Sequence, residues 1–314
     1  MNNEQLISIV IPVFNESENI MAMIEAINKV DLHDPFEIIF VNDGSDDSAT
    51  LSILKMVAAQ YPHVHYISLV RNFGHQIALK AGIDLAKGDA IISMDGDLQH
   101  PPALLPEMIA QWKAGFDIVI TKRIDYGDVS LFKKISSHLY YKIINALSSI
   151  PIQYGESDFR LLDKKVAAIF KKIDEPDLFL RGLTRWVGFE VTEIPFKAEN
   201  RQFGSSKYSF KKMMRLGLNG IISFSSKPLY LSVYAGFASA LFSIIVLLYT
   251  LTSMYFGHVV PGWASTLIII SFFSGMQLIL MGIFGLYLSR VFMQTKNRPL
   301  YIIGENTYNT NEAA

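Results

Sequence analysis

Over the first 121 residues, short runs of β-branched and aromatic residues alternate with stretches whose apolar positions recur three and four apart. The runs Ile7 to Phe14, Phe36 to Asn42, Val64 to Leu69, Ala90 to Met94 and Phe116 to Thr121 predict strands. Between them, Glu18 to Val30, Ser48 to Tyr61, His75 to Ala86 and Ala103 to Ala114 predict helices. This rhythm predicts an α/β fold, a Rossmann-like and mainly parallel sheet with helices on both faces.

Further along, the pattern changes in kind. Leu229 to Leu251 and Leu267 to Leu288 are apolar on every face, and each is long enough to cross a hydrocarbon core of about 30 Å. No Asp, Glu, Lys or Arg stands between Lys227 and Arg290. That one gap explains why only 18% of the 314 residues are charged, against about 25% in an ordinary domain. A hairpin of two transmembrane helices is expected, the alternative being two buried helices of a soluble core. Lys207, Lys211, Lys212, Arg215 and Lys227 precede the first span, and Arg290, Lys296 and Arg298 follow the second. The connector carries no Lys or Arg, so both ends are expected in the cytoplasm. Gly236 with Ala240, and Ser271 with Gly275, are small-residue pairs suited to helix contact.

Two further stretches are amphipathic. Phe210, Met213, Met214, Gly217, Leu218, Ile221 and Ile222 form one apolar stripe beside Lys211, Lys212 and Arg215, as in a helix lying on a membrane surface. Leu131, Ile135, Leu139 and Ile143 form a second, equally compatible with packing on the domain's own core. The resulting division is a catalytic unit over 1–204, an interfacial helix over 205–227, the spans within 228–290 and a cytoplasmic tail over 291–314.

Composition excludes several classes. With no cysteine there is no disulfide framework, thiol catalysis or Cys-type zinc site. A net charge of -1 gives no basis for expecting nucleic acid. The first five residues carry no Lys or Arg, so no secretory signal is expected.

In a parallel sheet, ligands sit beyond the carboxyl ends of the strands. The residues found there are Asn15-Glu16, Asn42-Asp43-Gly44-Ser45, Arg71-Asn72-Phe73-Gly74 and Asp95-Gly96-Asp97-Leu98-Gln99. Neither G-x-G-x-x-G nor a P-loop is present, so a diphosphate beside this acidic rim would need a bridging divalent cation. Asp95-x-Asp97 offers hard oxygen ligands of that kind for Mg²⁺ or Mn²⁺, although D-x-D alone is equally plain turn sequence. Asp43 likewise suits either a ligand contact or a turn cap.

Taken together, Ile9-Val10-Ile11-Pro12-Val13-Phe14-Asn15-Glu16, Asn42-Asp43-Gly44-Ser45 and Asp95-Gly96-Asp97-Leu98-Gln99 resemble the motifs of inverting family 2 glycosyltransferases, which have the GT-A fold. Asp158-Phe159-Arg160-Leu161, Arg181-Gly182-Leu183, Arg201, Gly204-Ser205-Ser206-Lys207-Tyr208 and the paired spans are similar to the polyprenyl-phosphate group within them. That group includes dolichol-phosphate mannose synthases and bactoprenol glucosyltransferases.

The resemblance implies a nucleotide-sugar site formed by Pro12, Phe14, Glu16, Val41, Asp43, Asp95, Gly96 and Asp97. Asp95, Asp97 and Gln99 would hold the metal, and Arg123, Arg201 and Lys207 would face the diphosphate or the acceptor phosphate. For those three cations the alternative is a solvated surface. Asp158 is left between orienting the acceptor, completing the metal site, capping a helix and pairing with Arg160. Phe14 stands where the family often has Tyr, a departure that puts any hydroxyl contact to the nucleotide in doubt. The implied reaction carries a hexose from a nucleotide sugar, UDP-glucose first and UDP-N-acetylglucosamine, another modified hexose or GDP-mannose as alternatives, to undecaprenyl phosphate at the inner membrane. Relatives include oligomers, which makes a homo-oligomer such as a tetramer an expectation. Two rivals stand beside this reading. A processive polysaccharide synthase would carry Q-x-x-R-W, but position 182 is Gly ahead of Arg185-Trp186; a non-catalytic membrane scaffold would have no use for the acidic rim.

Overall fold

The computed structural model describes residues 5–124, 142, 145–147, 155–176, 178–197, 222, 225–256 and 262–308. Arg201, Lys207 and, apart from Lys142 and Ile222, both amphipathic stretches lie outside the described residues.

Among the described residues, eight strands form one sheet: β1 (Ile7–Val13), β2 (Phe36–Asn42), β3 (Val64–Leu69), β4 (Ala90–Ser93), β5 (Ile118–Arg123), β6 (Glu156–Asp163), β7 (Val191–Phe196) and β8 (Ile303–Asn306), in the order β7-β5-β6-β4-β1-β2-β3-β8. The first four are mutually parallel, β5 is parallel to β7, β6 runs against both β4 and β5, and β8 runs against β3. The reversal of β6 therefore brings its amino end, with Ser157 and Asp158, to the rim formed by the carboxyl ends of β1 to β4.

Alternation of side chains sorts the core into two layers. Ile7, Ile9, Ile11 and Val13 of β1 face α1 (Ser17–Asn28), α2 (Ser48–Gln60) and α4 (Leu105–Lys113), through Ile20, Ile24, Leu54, Met108 and Trp112. Val10, Ile39, Val41 and Ile67 face α3 (His75–Leu85), α5 (Lys164–Lys171) and α6 (Leu180–Trp186), through Ala78, Ala81, Val166, Phe170 and Leu183. The helices thus cover both faces, as the alternating pattern requires.

Two long helices follow, α7 (Lys227–Tyr255) and α8 (Trp263–Thr295), both long and apolar enough to cross a membrane. At 1.5 Å per residue they measure about 44 and 50 Å, more than the hydrocarbon core alone requires. Their apolar side chains face outward, Phe237 at 72% exposure and Leu278 at 73%, which removes the alternative of a buried soluble core. They touch through Ser239 Oγ on Met276 Sδ at 3.0 Å and through Phe242 and Phe273. Within the single chain Gly236 and Gly275 do not make that contact, since a Cβ on either would meet nothing within 4 Å.

Beyond α8 the chain does not form a separate tail. It returns as β8, pairing Leu69 with Ile303 and Ile67 with Asn306 at the sheet edge. Tyr301 donates to Asp84 at 3.0 Å, and Tyr308 donates to Glu37 at 2.5 and 2.7 Å.

Candidate active site

The rim is built from the loops that follow β1 to β4 and from the start of β6. Asn15 has φ 54°, in the left-handed region that Asn tolerates better than most residues. That turn lets its Oδ1 accept from the Asp46 and Asp47 amides at 2.9 and 3.3 Å, joining the first two loops. Asn42 Oδ1 accepts from the Ser45 amide and hydroxyl, and its amide donates to Ser68 Oγ. Asp43 is buried, and its two oxygens accept from the Phe73 and Gly74 amides at 2.7 and 2.9 Å. Burial raises its pKa and those two hydrogen bonds oppose the rise. Gly44 has φ 59°, and a Cβ there would collide with the Arg71 backbone, so only glycine lets the second and third loops close up. Arg71 stacks over the Phe73 ring at 4.1 Å.

Beyond β4, Gly96 lets the backbone approach Pro12 and Val13, since a Cβ there would lie 3.1 Å from the Pro12 carbonyl oxygen. The Asp95 amide donates to His100 Nδ1 at 3.0 Å, so in the neutral ring the proton sits on Nε2, 2.7 Å from Ser157 Oγ. Asp95 stands between two imidazoles, Oδ1 at 3.3 Å from His75 Nε2 and Oδ2 at 3.6 Å from His100 Nε2. Its Oδ1 is nevertheless buried without an aligned hydrogen-bond donor. Asp97 accepts from the Gln99 amide at 3.2 Å.

Asp158 is the most heavily held group. Arg160 donates to it at 2.8 Å, Arg181 donates at 3.1 and 2.8 Å, and the Gln76 amide donates at 3.2 Å. Burial would raise its pKa, but Arg181, His75 and Arg160 outweigh burial and hold the carboxyl well below the usual carboxylate range. Of the roles left open by the sequence, the structure displays the ion pair with Arg160, and adds Arg181. His75, whose ring is 42% exposed, is affected in the opposite direction: partial desolvation disfavours its cation, yet Asp95 and Asp158 raise its pKa to about 8.

The sequence-derived set divides accordingly. Phe14 and Glu16 lie at the rim, half-buried, with Asn19 Nδ2 donating to Glu16 at 2.5 Å. Val41 has no exposed surface and packs beneath α3, so its side chain supports the rim instead of lining it. Arg123 closes β5 at the same edge, its amide donating to the Gly155 carbonyl at 2.8 Å. A cavity of about 480 Å³ opens beside Gly44, Ser45, Ser48, Arg71 and Asn72, and none of Asp95, Asp97 and Asp158 lines it. Sequence reasoning missed His75, Gln76 and Ser157, and assigned His100 no role of its own. Asp-x-Asp followed by His100 was the available signal for His100; His75 and Gln76 had none beyond their place after the third strand.

Among the described residues, no three His, Asp or Glu side chains converge into a metal cage. A hard divalent cation that keeps its waters and shares a substrate diphosphate needs only one or two carboxylates. The undonated oxygen of Asp95 and the neighbouring Asp97 fit that requirement.

Residues 8–170 match glycosyl transferase family 2. The chain belongs to that family. It is therefore a glycosyltransferase, and its sheet has the mainly parallel GT-A arrangement. It is 39% identical over 301 residues to the uncharacterized glycosyltransferase YkcC of Bacillus subtilis (strain 168), covering 94% of this chain and 92% of that protein. It is also 39% identical over 300 residues to the SfII prophage-derived bactoprenol glucosyl transferase of Shigella flexneri, covering 95% and 97%. Among solved structures, it is similar to the mannosyltransferase PcManGT of Pyrobaculum calidifontis in complex with GDP-Man and Mn²⁺, at 14% identity and TM-score 0.45, covering 91% and 88%.

Proposed function

We propose that this enzyme transfers a hexose from a nucleotide sugar, UDP-glucose first among the donors, to a polyprenyl phosphate at the cytoplasmic membrane face, with inversion at the anomeric carbon. The observation that carries the reading is the return of the chain from α8 into the rim end of the sheet. Positions 296–302 alone separate Thr295 from Ile303, about 28 Å of fully extended chain, and Ile303 pairs with Leu69 at the carboxyl end of β3. The acidic rim is thereby tethered close to the end of an apolar helix, where a lipid phosphate would present its headgroup. Strand pairing also requires β3 and β8 to share a compartment, a condition that two spans satisfy. The basic residues flanking α7 and α8 favour the cytoplasm. Relatives named bactoprenol glucosyl transferases support the lipid acceptor and the first choice of sugar.

In the proposed reaction, an acceptor phosphate oxygen bonds to the anomeric carbon while the bond from that carbon to the donor diphosphate breaks, releasing nucleoside diphosphate. A phosphate monoester has a second pKa of about 6, so the nucleophile is largely ionised at neutral pH and needs no strong base. Asp158, fixed by two guanidiniums, organises the rim instead of taking a proton. Asp95 and Asp97, with Gln99, would hold a Mg²⁺ or Mn²⁺, whose charge would stabilise the departing diphosphate. Glu16 and the loops pinned by Asp43 would receive the nucleoside, and Arg123, Arg201 and Lys207 would bring the anionic acceptor alongside. A processive synthase is disfavoured on a specific contact: Arg185 of the Arg-Trp pair is held by Glu156 and Glu193 at 2.6 and 2.5 Å, and Trp186 is 60% exposed.

The test incubates membranes containing the full chain with undecaprenyl phosphate and a panel of radiolabelled UDP- and GDP-sugars, with and without EDTA. The expected result is EDTA-sensitive label in the lipid phase from one donor, UDP-glucose. Lipid-linked product from no donor would reject the reading. Asp97→Ala is expected to abolish transfer without impairing membrane insertion.

A further inference from the structure

One imidazole at the rim has no part in the chemistry above. His75 opens α3 with its ring 42% exposed, and its Nε2 lies 3.3 Å from Asp95 Oδ1 and 3.7 Å from Asp158 Oδ2. Asp158 has Arg160, Arg181 and Gln76 as donors besides this ring. Asp95 Oδ1 has no aligned donor, so at 3.3 Å the ring acts on it through charge, and two guanidiniums stand just behind Asp158. An unbraced Asp95 carboxylate would be drawn toward those guanidiniums and away from a ligand. On the other side, His100 is fixed by the Asp95 amide and Ser157, so it cannot follow such a movement.

Resting on the glycosyltransferase reading, we propose that His75 is a positioning residue: from the start of α3 it braces the Asp95 carboxylate so that it faces the donor's cation–diphosphate pair. His75 acts through Asp95 and forms no bond to the reacting carbon. A positioning group of this kind sets how well the metal-dependent donor binds, whereas a merely structural one sets only how well the protein folds.

The experiment titrates UDP into detergent-purified full-length protein by calorimetry, with and without Mn²⁺, and measures thermal stability in parallel. For His75→Ala, Mn²⁺-dependent UDP binding is expected to weaken about tenfold or more, as loss of a partner behind a metal ligand commonly does. Metal-free UDP binding should stay unchanged, and the melting temperature should move by no more than about 2 °C. His75→Gln keeps a nitrogen donor at comparable reach and should restore most of the binding. In turnover, the loss should appear in the donor KM more than in kcat. Wild-type affinity in His75→Ala would overturn the assignment, as would a stability loss that His75→Gln fails to rescue. If the wild-type protein itself shows no Mn²⁺-dependent gain in UDP binding, the metal reading of Asp95 and Asp97 falls, and the role of His75 with it.

Discussion

At the scale of single residues, Asp158 is the costliest rim charge to neutralise. It is 5% exposed, and beside it the Arg160 guanidinium is 3% exposed, so removing the carboxylate leaves a cation buried beside a neutral partner. Asp158→Asn should cost about 3–5 kcal/mol, read as a lower melting temperature in detergent. The pH dependence follows from a folded pKa held below the unfolded value of about 3.9. The stabilisation is complete above that value and is lost as pH falls below it, so the gap between wild type and Asp158→Asn should close under acid conditions. A gap that stayed constant from pH 7 to pH 3 would contradict this. Gly44→Ala is expected to disturb nucleotide binding as well as stability, because the added carbon meets the Arg71 backbone at a positive φ. Some of this site was legible in the sequence: Asp158 and Arg160 share one face of a strand two residues apart. Arg181, 23 residues away, stood in a recognisable Arg-Gly-Leu motif, but it and His75, 83 residues away, reach the same carboxylate only through the fold, so no local pattern could announce that meeting.

At the scale of elements, legibility followed burial. Strands β1 to β4 read as mainly apolar runs, interrupted by Ser8, Glu37 and His65, because both faces are covered, and their boundaries fall within a residue or so of the pattern. Strand β6 was hidden because Glu156, Asp158 and Arg160 are charged, yet buried in ion pairs. Strand β7, with only Ile194 and Phe196 buried, carries a weak signal, and β8 has four residues including a glycine. What fixes β8 lies beside it. Tyr308 reaches Glu37, which also accepts from Ser8 at 2.5 Å, and Lys55 meets Glu305 at 2.9 Å. Burial and the Glu37 carboxylate push the Tyr308 hydroxyl far up, so it remains a donor at any working pH. Tyr308→Phe removes that donor and should cost about 1–3 kcal/mol, measurable as a lower melting temperature. Faster hydrogen exchange at Ser68 and Val70 should accompany it, because Val70 donates to the Ile302 carbonyl at this edge. Unchanged exchange there would show that β8 does not depend on the tyrosine.

On the scale of the whole molecule, the absence of cysteine makes topology directly measurable. Gly262→Cys, exposed at the position that caps the start of α8, should react with a membrane-impermeant maleimide added to intact cells. Glu190→Cys, exposed beside β7, should react only after the membrane is opened. The opposite pattern would invert the orientation proposed for the hairpin. The pairing of β8 with β3 also dictates an order of assembly. Thr307 bonds the Tyr66 backbone across 241 positions, and everything between them, both long helices included, leaves the ribosome first. Until then β3 is an open edge, the kind of surface on which nascent chains aggregate. A chain whose second helix ended on the wrong side of the bilayer could never close that edge. Completion of the sheet is thus a built-in inspection of membrane insertion: the last strand made certifies that the hairpin before it was threaded correctly.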